Sequence, residues 1–153
     1  MLKLEHRIPP PVVGLALAVA MWAVSRWPPV IDLAPWVRHA LVVVLAAAGL
    51  AFDLAGVIAF WRRRTTVNPL RPQNASALVT GGVYRLTRNP MYVGMALLLT
   101  AWAVHLASPW AFLGPVAFVL YINRFQIAPE ERVLGELFGD SWSAYAARVR
   151  RWL

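Results

Sequence analysis

The chain has 153 residues, 59% of them hydrophobic and only 14% charged, with no cysteine and a formal net charge of +8. Soluble domains carry about 25% charged residues, so the balance points to a membrane protein of one domain, residues 1–153. The missing cysteines exclude disulfides and thiolate metal sites, and His6, His39 and His105 stand apart with no metal-ligand spacing; the basic residues alternate with apolar runs, which favours a membrane over nucleic acid.

The expected fold is an all-α integral membrane protein with about four transmembrane helices. The first apolar run covers residues 8–24. Its Pro9-Pro10-Pro11 start and the lack of a small-residue cleavage site distinguish it from a signal peptide. The second, residues 39–61, is long enough to span with tilt. Asp53 lies near its middle, where an intramembrane acid is either functional or neutral and hydrogen-bonded to a neighbour. The apolar run over residues 91–121 is too long for one helix, and Ser108-Pro109 divides it. Residues 91–107 and 109–123 are therefore expected as a tight helical hairpin. His105, near the end of the third run, reads as an interfacial or interhelix hydrogen-bonding group. Trp22, Trp27, Trp36, Trp61, Trp102 and Trp110 fall at or near run ends, as interfacial anchors do.

Four spans put both termini on one side. Of the 15 Lys and Arg residues, only Arg26 and Arg38 fall on the other side. Lys3 and Arg7 precede the first span; Arg62, Arg63, Arg64, Arg71, Arg85 and Arg88 fill the central loop; Arg124, Arg132, Arg148, Arg150 and Arg151 follow the last. The positive-inside rule makes the basic side cytoplasmic. The tail reads as helical and amphipathic. Pro129, Glu130 and Glu131 signal a helix start, and Val133, Leu134, Leu137 and Phe138 form an apolar stripe. Gly139 interrupts it, and Asp140 or Ser141 can cap a second short helix bearing Trp142, Tyr145 and Val149. Such a tail lies on the membrane surface or folds over the loop.

Two clusters carry chemistry. In TRNPMY, Asn89 before Pro90 signals a helix start whose unpaired N–H groups can take an anionic group. Tyr84, Tyr92 and the arginines crowd the same spot, an arrangement that also suits interfacial anchoring. The second cluster is Glu130-Glu131, beside Arg124 and Arg132, which serves equally as ordinary helix N-terminal charge. A basic, aromatic loop facing an acidic helix start on one side of the membrane makes a pocket for a mixed-charge ligand. Thr65, Thr66 and Asn68 shape the loop that leads to it or simply turn the chain before Pro69. No glycine-rich dinucleotide fingerprint follows a strand, which sets aside a soluble nucleotide-binding α/β enzyme.

GGVYRLTRNPMYVG followed by EERVLGELFGDSWSAYAARVRR resembles the isoprenylcysteine carboxyl methyltransferase family of integral membrane methyltransferases. The upstream TTVNPLRPQNASALVTGG is similar to its bacterial branch. The resemblance covers about residues 65–150; the first two spans match in hydropathy alone. It implies S-adenosylmethionine as methyl donor and S-adenosylhomocysteine as product. It also implies a multi-pass protein of the bacterial inner membrane, with both termini and the active site cytoplasmic. Carried over residue by residue, the cofactor contacts are Ser76, Ala77, Leu78, Val79, Tyr84, Asn89, Pro90, Met91, Tyr92 and Glu130, within segments 76–92 and 126–150. Many members have His where this chain has Asn89, which donates and accepts hydrogen bonds but does not titrate near neutral pH. The family's substrate-facing Arg falls on Gln126, with Arg124 two residues away, so both are candidates for acceptor binding. The implied acceptor is a membrane-embedded lipid or lipidated small molecule, a prenylcysteine-type carboxylate among the candidates. Phospholipid or small-amine N-methylation, a sterol-type reductase using a nicotinamide cofactor, and a non-enzymatic membrane scaffold are the alternatives.

Overall fold

The computed structural model describes residues 8–63 and 77–153, and every element in those residues is helical. Lys3, His6, Arg7, Arg64, Thr65, Thr66, Asn68, Arg71 and Ser76, singled out above, lie outside the described residues. Helix α1 is Pro10–Val24, α2 Pro35–Arg63, α3 Pro90–Leu106, α4 Leu113–Ile122 and α5 Ala128–Arg148. A 3-10 turn, Gly82–Arg85, precedes α3, and another, Pro109–Phe112, leads into α4. By length and composition, α2 and the continuous stretch Pro109–Arg148 can each cross a bilayer; α1 and α3 are shorter apolar helices.

Proline sets the helix starts. Pro10 and Pro90 occupy the first turns of α1 and α3, where a missing N–H costs nothing. The expected break after residue 107 is present: Ala107 closes α3 in the left-handed region at φ 49°, and Ser108 is extended before Pro109. The expected start at Pro129 takes another form. The chain passes from α4 to α5 without a break, through a π-helical turn, Asn123–Ile127, and Pro129 sits in the first turn of α5. The second short helix expected after Gly139 is present: Gly139, whose φ of 50° and ψ of −122° lie outside helical values, divides α5 into two helical halves at a kink.

Helix α3 is central. Its first half packs along α2 through small residues: a Cβ at Gly49 would stand 2.8 Å from Gly94 O, and one at Gly56 2.7 Å from Met91 Cγ. Two such contacts one heptad apart bring the backbones close, the usual means of helix association where both lipid and side chains are apolar. The opposite flank of α3 meets α1 and α4 in a core of Met21, Leu99, Ala103, Phe118, Ile122 and Ile127. The remaining face of α2 is apolar and exposed, with Val43, Val44, Leu50, Leu54 and Ile58 outward, as a lipid-facing helix requires.

Candidate functional site

The site gathers where the turn before α3 meets α5. Gly82, at φ 61°, tightens the 3-10 turn that carries Tyr84. Tyr84 is buried; its ring stands edge-on to Phe60 of α2, centroids 5.5 Å apart. Its carbonyl accepts a 2.8 Å hydrogen bond from Tyr145 Oη of α5. The loop is thus clamped between α2 and the tail, the second of the two placements expected for the tail.

Tyr92, in the first turn of α3, is buried and directs its hydroxyl at Glu130 Oε2, 3.5 Å away at the outer limit of a hydrogen bond. Burial pushes the Glu130 carboxyl up to about 7, with the Tyr92 hydrogen bond opposing the rise and the neighbouring Glu131 charge adding to it. Burial also raises Tyr84 beyond its ordinary range, helped by Glu130, and raises Tyr145 to about 12. The result is a carboxyl poised near neutrality among phenols that stay protonated. A cationic ligand would favour its ionised form.

Arg88 and Glu131 form a second layer. Arg88 Nη2 lies 3.1 Å from Glu131 Oε1, and its guanidinium stands over the Trp142 ring, 5.5 Å from the centroid. Arg151 grips the same carboxylate from the other side, Nε to Oε1 at 3.1 Å and Nη2 to Oε2 at 2.5 Å. Sequence reasoning placed Arg88 among the arginines crowding Tyr84 and Tyr92, and used Arg151 only to assign sidedness. The signal available was charge complementarity, since the two motifs bring acids from one segment and arginines from the other.

The implied cofactor residues divide into three groups. Tyr84, Asn89, Tyr92 and Glu130 converge. Asn89 sits at the N-cap of α3 but makes no capping bond; its Nδ2 donates instead to Arg151 O at 2.9 Å. Pro90 and Met91 turn toward α2, packing on Gly56. Ala77 and Leu78 are partly buried, and Val79 is buried in the wall of a cavity of about 400 Å³, whose lining also includes Ala55, Ile58, Arg62, Gly81 and Val83. The acceptor candidates stand differently: Arg124 is exposed with its guanidinium over Phe125, while Gln126 is fully buried and donates to Ile8 O at 2.8 Å. Among the described residues no group of three or more His, Asp or Glu side chains could hold a metal ion.

A family model described as phospholipid methyltransferase matches residues 37–141, a range that includes both halves of this site. The chain is 32% identical over 117 residues to a probable protein-S-isoprenylcysteine O-methyltransferase of Oryza sativa subsp. indica, covering 74% of this chain and 60% of that protein. It is 31% identical to protein-S-isoprenylcysteine O-methyltransferase A of Arabidopsis thaliana, covering 74% of this chain and 57% of that one. It is also 48% identical over 63 residues, 41% of the chain, to the whole of an uncharacterized protein of Haemophilus influenzae. The matches thus span about three-fifths of the length of the plant relatives. No solved structure matches. With a family match over most of its length and both of its chemistry-bearing segments joined in one site, the chain belongs to the phospholipid methyltransferase family.

Proposed function

We propose that this protein transfers a methyl group from S-adenosylmethionine to a membrane-embedded lipid or lipidated acceptor. The observation that carries the reading is the contact between Tyr92 and Glu130, which joins two segments 38 residues apart in one partly buried, aromatic and acidic site. When bound, S-adenosylmethionine supplies an electrophilic methyl on a cationic sulfur. The residues suit that molecule: Glu130 offers a carboxylate to its cation or ribose hydroxyls, and Tyr84 and Tyr92 offer aromatic surface. Leu78 and Val79, with the tyrosines, supply an apolar, aromatic slot for the adenine. At the start of α3, which Asn89 and Pro90 lead into, the N–H groups of Met91 and Tyr92 are the ones offered to the amino-acid carboxylate. A carboxylate acceptor is already ionised and needs no strong base, so alignment and exclusion of water carry most of the rate.

On this reading the chain is one membrane domain with four spans, both termini and the site on the cytoplasmic face. The donor enters from water and the acceptor laterally from lipid, with Arg124 and Gln126 on the acceptor side. The plant relatives' names support a prenylcysteine-type carboxylate as acceptor. The family description supports a second reading, N-methylation of a phospholipid or small amine.

Calorimetric titration of the detergent-solubilised protein with S-adenosylhomocysteine tests the donor site. Wild type is expected to bind, and Tyr92→Ala and Glu130→Ala to weaken binding at least about tenfold, roughly 1.4 kcal/mol. Absence of heat from wild type, or unchanged affinity in both variants, overturns the reading in favour of a scaffold. Labelled donor offered with prenylcysteine, phospholipid and amine acceptors then separates the substrate classes.

A further inference from the structure

Residues 149–152 make close contacts with the site. After α5 the chain becomes extended at Val149, φ −119° and ψ 131°, and runs beside the segment before α3. Arg88 N donates to Arg150 O at 2.9 Å. Thr87 Oγ1 and Asn89 Nδ2 both donate to Arg151 O, each at 2.9 Å. Thr87 is fully buried, and its hydroxyl also accepts from Asn89 N at 3.1 Å. The Arg151 side chain folds back onto Glu131 in a two-pronged, charge-assisted pair, and Trp152 Nε1 donates to Asn123 Oδ1 of the π-turn at 3.0 Å.

We propose that Arg150, Arg151 and Trp152 form a strap that sets the geometry of the donor site, with Glu131 and Asn89 as the positioning residues through which it acts. The inference rests on the donor-binding reading above. Glu131 follows Glu130 directly, and two adjacent carboxylates repel. Arg88 and Arg151 neutralise Glu131 from both sides, which lets Glu130 turn inward to Tyr92 instead of toward water. Asn89 spends its amide N–H on the strap and so holds its oxygen in a fixed direction at the mouth of α3. The need for an N–H at this place explains how an untitratable amide serves there. Trp152 braces the π-turn, whose extra residue decides which face of α5 meets α3.

The full-length chain in detergent micelles, titrated with S-adenosylhomocysteine over a range of pH, tests this. Arg151→Gln and Glu131→Gln are each expected to raise Kd about tenfold. The double variant should be no weaker than the weaker single one, because both remove one shared pair. Arg151→Lys should recover part of the loss, since a point charge replaces the fork. The groups facing Glu130 are Tyr92 on α3, Tyr84 on the turn before it and Glu131 on its own helix. Binding by wild type should strengthen as pH rises through the Glu130 titration, and in Arg151→Gln that midpoint should fall toward the ordinary carboxylate range as Glu130 regains water. If wild type binds while both single variants keep its affinity and midpoint, the strap is overturned. The same holds if the variants lose only binding-competent protein at unchanged Kd and midpoint. No binding by wild type removes the donor reading itself.

Discussion

Glu130 is the buried acid of the proposed donor site, and its environment sets a testable pH dependence. Its folded-state carboxyl stands near 7 against an ordinary value of 4.5, so the folded protein holds this proton more tightly than the unfolded chain does. The linked stability is present in full below the unfolded value and is lost as pH rises through the folded one. For the ligand-free protein, Glu130→Gln removes that loss, so the variant should melt at higher temperature than wild type at pH 8 and show no such advantage at pH 5. A fluorescence melt in detergent at the two pH values measures it. Ligand affinity should run the opposite way with pH, because a cation-bearing donor selects the ionised carboxylate. The acid thus costs stability in the empty protein and returns it on binding, a common signature of a functional group.

At the scale of elements, the pairing of α2 with α3 and the bend in α5 are the sensitive points. A Cβ at Gly94 would overlap the carboxyl of Asp53 and stand 2.6 Å from Gly49 O. Backbone cannot yield there, so Gly94→Ala should separate the helices and destabilise the protein by about 1–3 kcal/mol, read from thermal unfolding in detergent. Because Gly94 lies two residues beyond Tyr92, the same change should also weaken S-adenosylhomocysteine binding. Asp53 Oδ1 is buried in this interface without a hydrogen-bond partner. Gly139 permits a backbone conformation that L-residues rarely adopt, with open space around its Cβ position. The cost of Gly139→Ala is therefore conformational strain, about 1–2 kcal/mol. That bend lets the second half of α5 return to Tyr84 through Tyr145.

The whole molecule pairs a lipid-facing helix surface with one polar, charged end, and the proposed topology follows from where those charges lie. The cysteine-free sequence makes the topology accessible to experiment. Single cysteines replacing the exposed Arg62 and Arg148 should react with an impermeant reagent from the same side of sealed vesicles, and one replacing the exposed Arg26 from the other. Labelling of positions 62 and 148 from opposite sides would break the four-span arrangement and with it the shared cytoplasmic site.

Much of this was open to reading along the chain, because it depends on local chemistry. Proline at the first turns of α1 and α3, the Ser108-Pro109 break and the apolar runs all act within a few residues of where they stand, and the structure has these features nearly where expected. The kinship was equally legible, since it resides in residue types at fixed spacing. The π-turn was not, because one extra residue in a helical turn leaves no mark on apolar periodicity. Nor was the partner of Asn89. Its type promised a helix cap through its oxygen, whereas the bond it makes runs from Nδ2 to a carbonyl 62 residues away. The sequence by itself determined the helices, their apolar faces and the inventory of charged groups. Only the tertiary structure decided that Arg88 and Arg151 share Glu131 while Glu130 turns inward to Tyr92, because ion pairing between distant segments depends on which helix faces meet.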